Sequence, residues 1–317
     1  MDKKTINYLH DLHFISPEQR DRLSRMFSSE VFSLHNELRV LLLTGVLLII
    51  GGAALFALNT INTIGPQLII LLMIVVMSAC FIYVLAARVP YSHAATSGPG
   101  FLYDAAVVLG CLLIPVVMGY AEYHYALFGE GLEFLPLIAA VILLPLAYRF
   151  DSRVVLTVGV IALAASIGLA VAPPALVRKI GMPAVELIAV SVAFGSLLVV
   201  VGFATQFGTI KQHFASTYLH LGAHFLFAPA LAGIFLRDEK LLFLLLLCFV
   251  GGLGTFHAKR THSFAMMVVV AIYLYVGVSY LVSIVLPERT VQSIYVFVSC
   301  SAVVIGLFLF KRTISEM

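Results

Sequence analysis

Apolar positions in this chain do not alternate with polar ones; they gather into runs of about 16 to 24 residues, most of them long enough as helices to cross a hydrocarbon core about 30 Å thick. A helix closes its backbone hydrogen bonds within itself, as a segment without water must, so each run predicts a transmembrane α-helix. A barrel strand would instead read as about ten residues alternating in polarity, whereas Leu241, Leu242, Phe243, Leu244, Leu245, Leu246 and Leu247 follow one another unbroken. The predicted spans are 39–58, 66–87, 101–121, 133–148, 154–172, 183–205, 216–236, 241–257, 263–286 and 292–310. The expected fold is therefore all-α, a polytopic membrane bundle of about ten transmembrane helices over residues 39–312. A short N-terminal cytoplasmic helical segment over residues 1–38 precedes it.

That opening segment is polar and lacks the apolar stretch directly after a charged start that marks a cleavable signal peptide, so it is expected to stay on the mature protein. Ser16, Pro17 and Gln19 read as an N-cap, a first-turn proline and the return partner of a capping box. Leu23, Met26 and Phe27 then form one apolar stripe, and a second short amphipathic helix is expected around Ile6 to Leu12. Two roles are open to the segment: a cap lying on the membrane or on the bundle, or a docking site for a protein partner.

Composition agrees with the pattern. Apolar residues make up 62% of 317 positions and charged residues 11%, against about half and a quarter in an ordinary soluble domain. The net charge of +3 comes without a polybasic run, which removes nucleic acid from the expected partners and leaves the lipid bilayer as the certain one. Of the 19 Lys and Arg, only Arg178, Lys179, Arg237, Lys240 and Arg289 fall opposite the N-terminus when the spans alternate sides. The positive-inside rule then places both termini in the cytoplasm. Cys80, Cys111, Cys248 and Cys300 each stand alone within an apolar run, so neither a disulfide nor a thiolate metal site is expected.

A weak repeat emerges when residues 101–210 are laid on 216–312. Pro115 to Gly119 then matches Pro229 to Gly233, and the basic hairpin Arg149 to Arg153 answers His257 to His262. Four spans per unit would make such a repeat parallel. Pro and Gly are common in membrane helices and short inner loops are often basic, so coincidence is an equal reading.

An ionisable group inside a span is costly and is by default a functional candidate. His220 and His224 stand four residues apart, on one face of the seventh span. That spacing admits a structural pair, a proton- or substrate-contacting pair, or two ligands of a metal, but no further ligand accompanies them, so no metal site is assigned. Asp104 at the start of the third span and Glu186 early in the sixth each sit where a helix N-terminus favours a carboxylate. With the drawn spans, Asp104, Tyr218, His220 and His224 share the cytoplasmic half of the bundle and Glu186 the external half. Asp104 joins the histidines only if the third and seventh spans lie together, as the repeat would have it. Gly51 and Gly52, like Gly251 and Gly252, are read as sites of close helix packing. No Walker loop, GxSxG elbow or dinucleotide fingerprint is present, no catalytic residue or cofactor is assigned, and the chain is expected not to be an enzyme.

Phe14-Ile15-Ser16-Pro17-Glu18-Gln19, Arg22-Leu23, the first span Leu43-Thr44-Gly45-Val46-Leu47-Leu48-Ile49-Ile50-Gly51-Gly52 and its end Ala57-Leu58-Asn59 together resemble the bacterial membrane proteins grouped as the domain of unknown function 2157 family. With Gly110 and Gly119 counted, the resemblance covers about the first 120 residues. Where that family typically has Trp after the Asn, this chain has Thr60. The resemblance implies a polytopic protein of the bacterial inner membrane and brings no activity or site residue with it. Two functions are expected from different classes: a transporter for a small solute or ion, or a scaffold that docks a cytoplasmic partner through residues 1–38. An intramembrane metalloenzyme using His220 and His224 ranks third.

Overall fold

The computed structural model describes residues 65–87, 89–96, 98–129, 131–171, 184–286 and 288–316, with positions 12, 14, 16–20, 41, 44–46, 48, 49, 51, 52 and 55. The chain divides into two units, residues 1–60 and 61–317. In the first, the capping box is present: Gln19 donates its backbone N–H to Ser16 Oγ at 3.2 Å, and Ser16 donates its own to Gln19 Oε1 at 2.9 Å. The expected helix at 6–12, the stripe at Leu23, Met26 and Phe27, and most of the span 39–58 lie outside the described residues.

The second unit is built of α1 (Pro66–Ala86), α2 (Phe101–Tyr125), α3 (Phe134–Phe150), α4 (Arg153–Val171), α5 (Ala184–Phe207), a 3-10 turn at Gln212–Phe214, α6 (Ala215–Leu236), α7 (Lys240–Arg260), α8 (Phe264–Val285) and α9 (Arg289–Glu316). No strand occurs among the described residues. Eight of these helices are long and apolar enough to cross a membrane, whereas α3 has 17 residues and falls just short. The described residues therefore carry eight candidate spans, and the expected count of ten is not confirmed.

The surface explains the sequence runs. Leu71, Val75 and Ile82 on α1, Leu241 and Phe249 on α7, and Phe297 and Phe308 on α9 are each more than half exposed. In water such a coat would aggregate, whereas in lipid it is solvated. The helices stop where the backbone changes hand. α3 ends at Asp151, whose φ of 57° lies in the left-handed region, and α4 starts two residues later. α5 gives way to the 3-10 turn through Lys211 at φ 50°. Ser263 caps α8 by accepting the Met266 N–H at 3.3 Å.

Inside the unit, each helix packs chiefly on its chain neighbour, and α6 also meets α4, α5, α7 and α8. Half of its membrane-crossing window is buried, the largest share of any span, and none of α9's is. One core cluster holds Tyr103, Leu143, Leu156, Phe194 and Phe214; a second holds Phe227, Ile234, Leu247, Val250 and Val270. Residues of α6 lie in both clusters, so this helix joins the two cores. Small residues permit the close approach: a Cβ on Gly195 of α5 would stand 2.8 Å from the Phe225 carbonyl carbon, and one on Gly222 of α6 3.0 Å from the Gly195 carbonyl oxygen. Gly251 packs as expected, on Leu274, whereas a Cβ on Gly252, Gly51 or Gly52 would meet no atom within 4 Å among the described residues.

Candidate functional site

Three chain segments converge at the end of the second unit that carries Arg149, Lys211 and Arg260. They are the connection between α1 and α2, the two-residue turn between α3 and α4, and the turn between α5 and α6. Asp151 is the centre. Its side chain is 4% exposed, and Lys211, 1% exposed, places Nζ 3.1 Å from Oδ2. The same oxygen accepts the Thr96 hydroxyl at 2.9 Å and the Thr96 backbone N–H, while His213 Nε2 lies 2.5 Å from Oδ1. Lys211 also donates to the Ala94 carbonyl at 3.2 Å, and its backbone N–H donates to the His93 carbonyl at 2.7 Å. Its ammonium lies 5.5 Å from the centre of the Tyr91 ring. Arg149 reinforces the same joint by donating both terminal nitrogens to the Val89 carbonyl at 3.2 Å.

The turns make this convergence possible. Aspartate tolerates the left-handed region better than most side chains, so Asp151 closes the α3–α4 hairpin while aiming its carboxylate inward. Burial alone would raise the Asp151 carboxyl, but the Thr96 N–H, the Lys211 ammonium, the Thr96 hydroxyl and the charge of His213 together hold it below the ordinary value of 3.8. A value lower in the folded than in the unfolded chain gives stabilisation that is complete above the unfolded value and lost as pH falls through the folded one. Unfolding followed in detergent at a series of pH values should therefore show the parent losing stability below about pH 4, with a flatter profile for Asp151→Asn. Parallel profiles would contradict this.

From His213 a polar face climbs α6. Ser216, His220, His224 and Ala228 recur every four residues on the side that neighbouring helices cover least: Ser216, His224 and Ala228 are exposed and His220 is half-buried. Leu219, Ala223 and Phe227, each three residues on from a member of that line, are buried beside it, as is Gly222 on the far side, so the uncovered strip is narrow. His220 Nδ1 donates to the Ser216 carbonyl at 2.6 Å, so its Nε2 is the acceptor in the neutral ring. His224 Nδ1 lies 3.0 Å from the Tyr273 hydroxyl of α8. His257 of α7 stands against Phe203 of α5 with ring centres 5.8 Å apart. No group of three His, Cys, Asp or Glu able to hold a metal forms among the described residues.

The other expected residues are placed apart from this face. Tyr218 is buried, its hydroxyl 3.1 Å from that of Tyr148 on α3. Asp104 lies in the first turn of α2 with its carboxylate near Gly98, and Glu186 is exposed in the first turn of α5. Tyr103, Val107 and Cys111 of α2 share one core cluster with Tyr218 of α6, while the polar contact of Tyr218 is to Tyr148 of α3. Asp151, Lys211, His213 and Thr96 carry no local signal of one another, since the partners lie 55 to 62 residues from Asp151. The signal available was a lone Asp between two arginines in a turn too short to be a domain.

Helices of this length, with largely apolar outward faces and a buried polar network at one end, define a multi-pass membrane protein in a lipid bilayer. Residues 8–156 match the model of the family described as "Predicted membrane protein (DUF2157)". The resemblance carried by the N-terminal motifs is thereby borne out and extends into the first turn of α4. No curated protein and no solved structure matches the chain.

Proposed function

We propose that the protein is a transporter of the bacterial inner membrane, with cytoplasmic termini, carrying a small solute or ion along the uncovered face of α6. The observation supporting this reading is the placement of Ser216, His220 and His224 on the least covered side of the most buried helix. Imidazoles turned to hydrocarbon are costly, and polar groups within spans characteristically line paths and water-filled clefts. No enzymatic step is part of the proposal.

A thermal-unfolding screen of the detergent-purified full chain tests it, using ions and small metabolites at several pH values. A ligand of the folded state at 100 times its Kd raises stability by about 2.7 kcal/mol. The expected result is a reproducible stabilisation that weakens in His220→Ala or His224→Ala. A flat screen with sound controls would favour the other reading, a scaffold docking a cytoplasmic partner through residues 1–38.

A further inference from the structure

The same face bears on what is carried. Its titratable side chains are imidazoles, and imidazole is the side chain whose ordinary pKa brings its charge change near neutral pH. They are spaced along one line. His213 opens it at the end of the bundle, 17% exposed and held against Asp151. His220 follows seven residues on, a rise of about 10 Å, and His224 a further turn, about 6 Å. Tyr273 closes its inner end from α8.

We infer that the species carried is the proton, entering at His213 and passing by way of His220 to His224. This rests on reading the face of α6 as the path. A proton bound at His213 leaves that ring neutral when it moves, through water on the open side of Ser216, to the Nε2 lone pair of His220. One N–H bond is broken and one is formed. The imidazolium made at His220 returns to neutral by giving a proton to the ring of His224, so a single positive charge advances and no oxidant or further reactant is consumed. The groups facing the line are Asp151, itself paired with Lys211, at His213 and Tyr273 at His224.

The experiment uses the full chain reconstituted in liposomes, with a trapped pH dye and a valinomycin-clamped potassium potential. Protein-dependent proton flux is expected, reduced to the protein-free leak in His220→Gln and in His224→Gln and retained in His262→Gln, an exposed turn histidine off the line. Unfolding temperatures measured on the same preparations separate loss of flux from loss of fold; His224, on the exposed side, is the variant least able to disturb packing. Flux of sodium, potassium or chloride without proton flux would overturn the proton assignment and leave a transporter. Proton flux indifferent to both histidine variants would overturn the path. Absence of flux of any of these ions would overturn the proton assignment, and only a flat ligand screen beside it would remove the transporter as well.

Discussion

Asp151→Asn should destabilise the folded protein by about 3 kcal/mol, at the lower end of the cost of breaking a buried ion pair. Asparagine tolerates the left-handed turn and can still accept from Thr96, so the substitution removes little except charge. What remains is the Lys211 ammonium, 1% exposed, with a carbonyl and an aromatic face for company. An isolated buried cation is far costlier than a paired one. Adding Lys211→Met should restore much of the loss, since a buried ion pair replaced by apolar side chains is often neutral or better. Denaturant or thermal unfolding of the parent, both single variants and the double gives the coupling. A single variant within about 0.5 kcal/mol of the parent would show the network to be inert.

Gly195→Ala should cost about 1–3 kcal/mol, the usual range for overpacking a filled interface. The new methyl would meet the Phe225 carbonyl carbon at 2.8 Å and its oxygen at 3.0 Å. Both are backbone atoms, so relief requires α5 and α6 to separate, and α6 joins both core clusters. Gly252→Ala places its methyl in open space and should be neutral or stabilising by up to about 1 kcal/mol through helix propensity. Unfolding temperatures of the two variants, taken side by side, distinguish a packing glycine from an idle one. Equal values would mean that the α5–α6 contact yields more easily than its backbone geometry implies.

Much of the fold is legible without coordinates because the bilayer imposes one local rule. A segment that crosses hydrocarbon must be apolar and must satisfy its own backbone, and α1, α7 and α8 are uninterrupted statements of that rule. The capping box at Ser16 and Gln19 is equally local, since both partners lie within one turn. The site was legible in part. His220 and His224 stand out because they interrupt an apolar run, and their common face follows from spacing alone. Their partners do not: Tyr273 lies 49 residues from His224, and no pattern in either helix announces the hydrogen bond between them.

Sequence by itself determined that the chain is helical, that it belongs in lipid, and roughly where most of its helices begin and end, because those properties depend on residues within a few turns of each other. Tertiary structure alone decided which helix became central, which glycines are filled against a neighbour, and that Asp151 would find Lys211 and His213 across 60 and 62 positions of chain. The reason is that in a bilayer every helix offers neighbours and lipid much the same apolar coat. Partner choice then falls to small residues that admit a backbone and to the few polar groups that must be paired, and both act only once the helices have met.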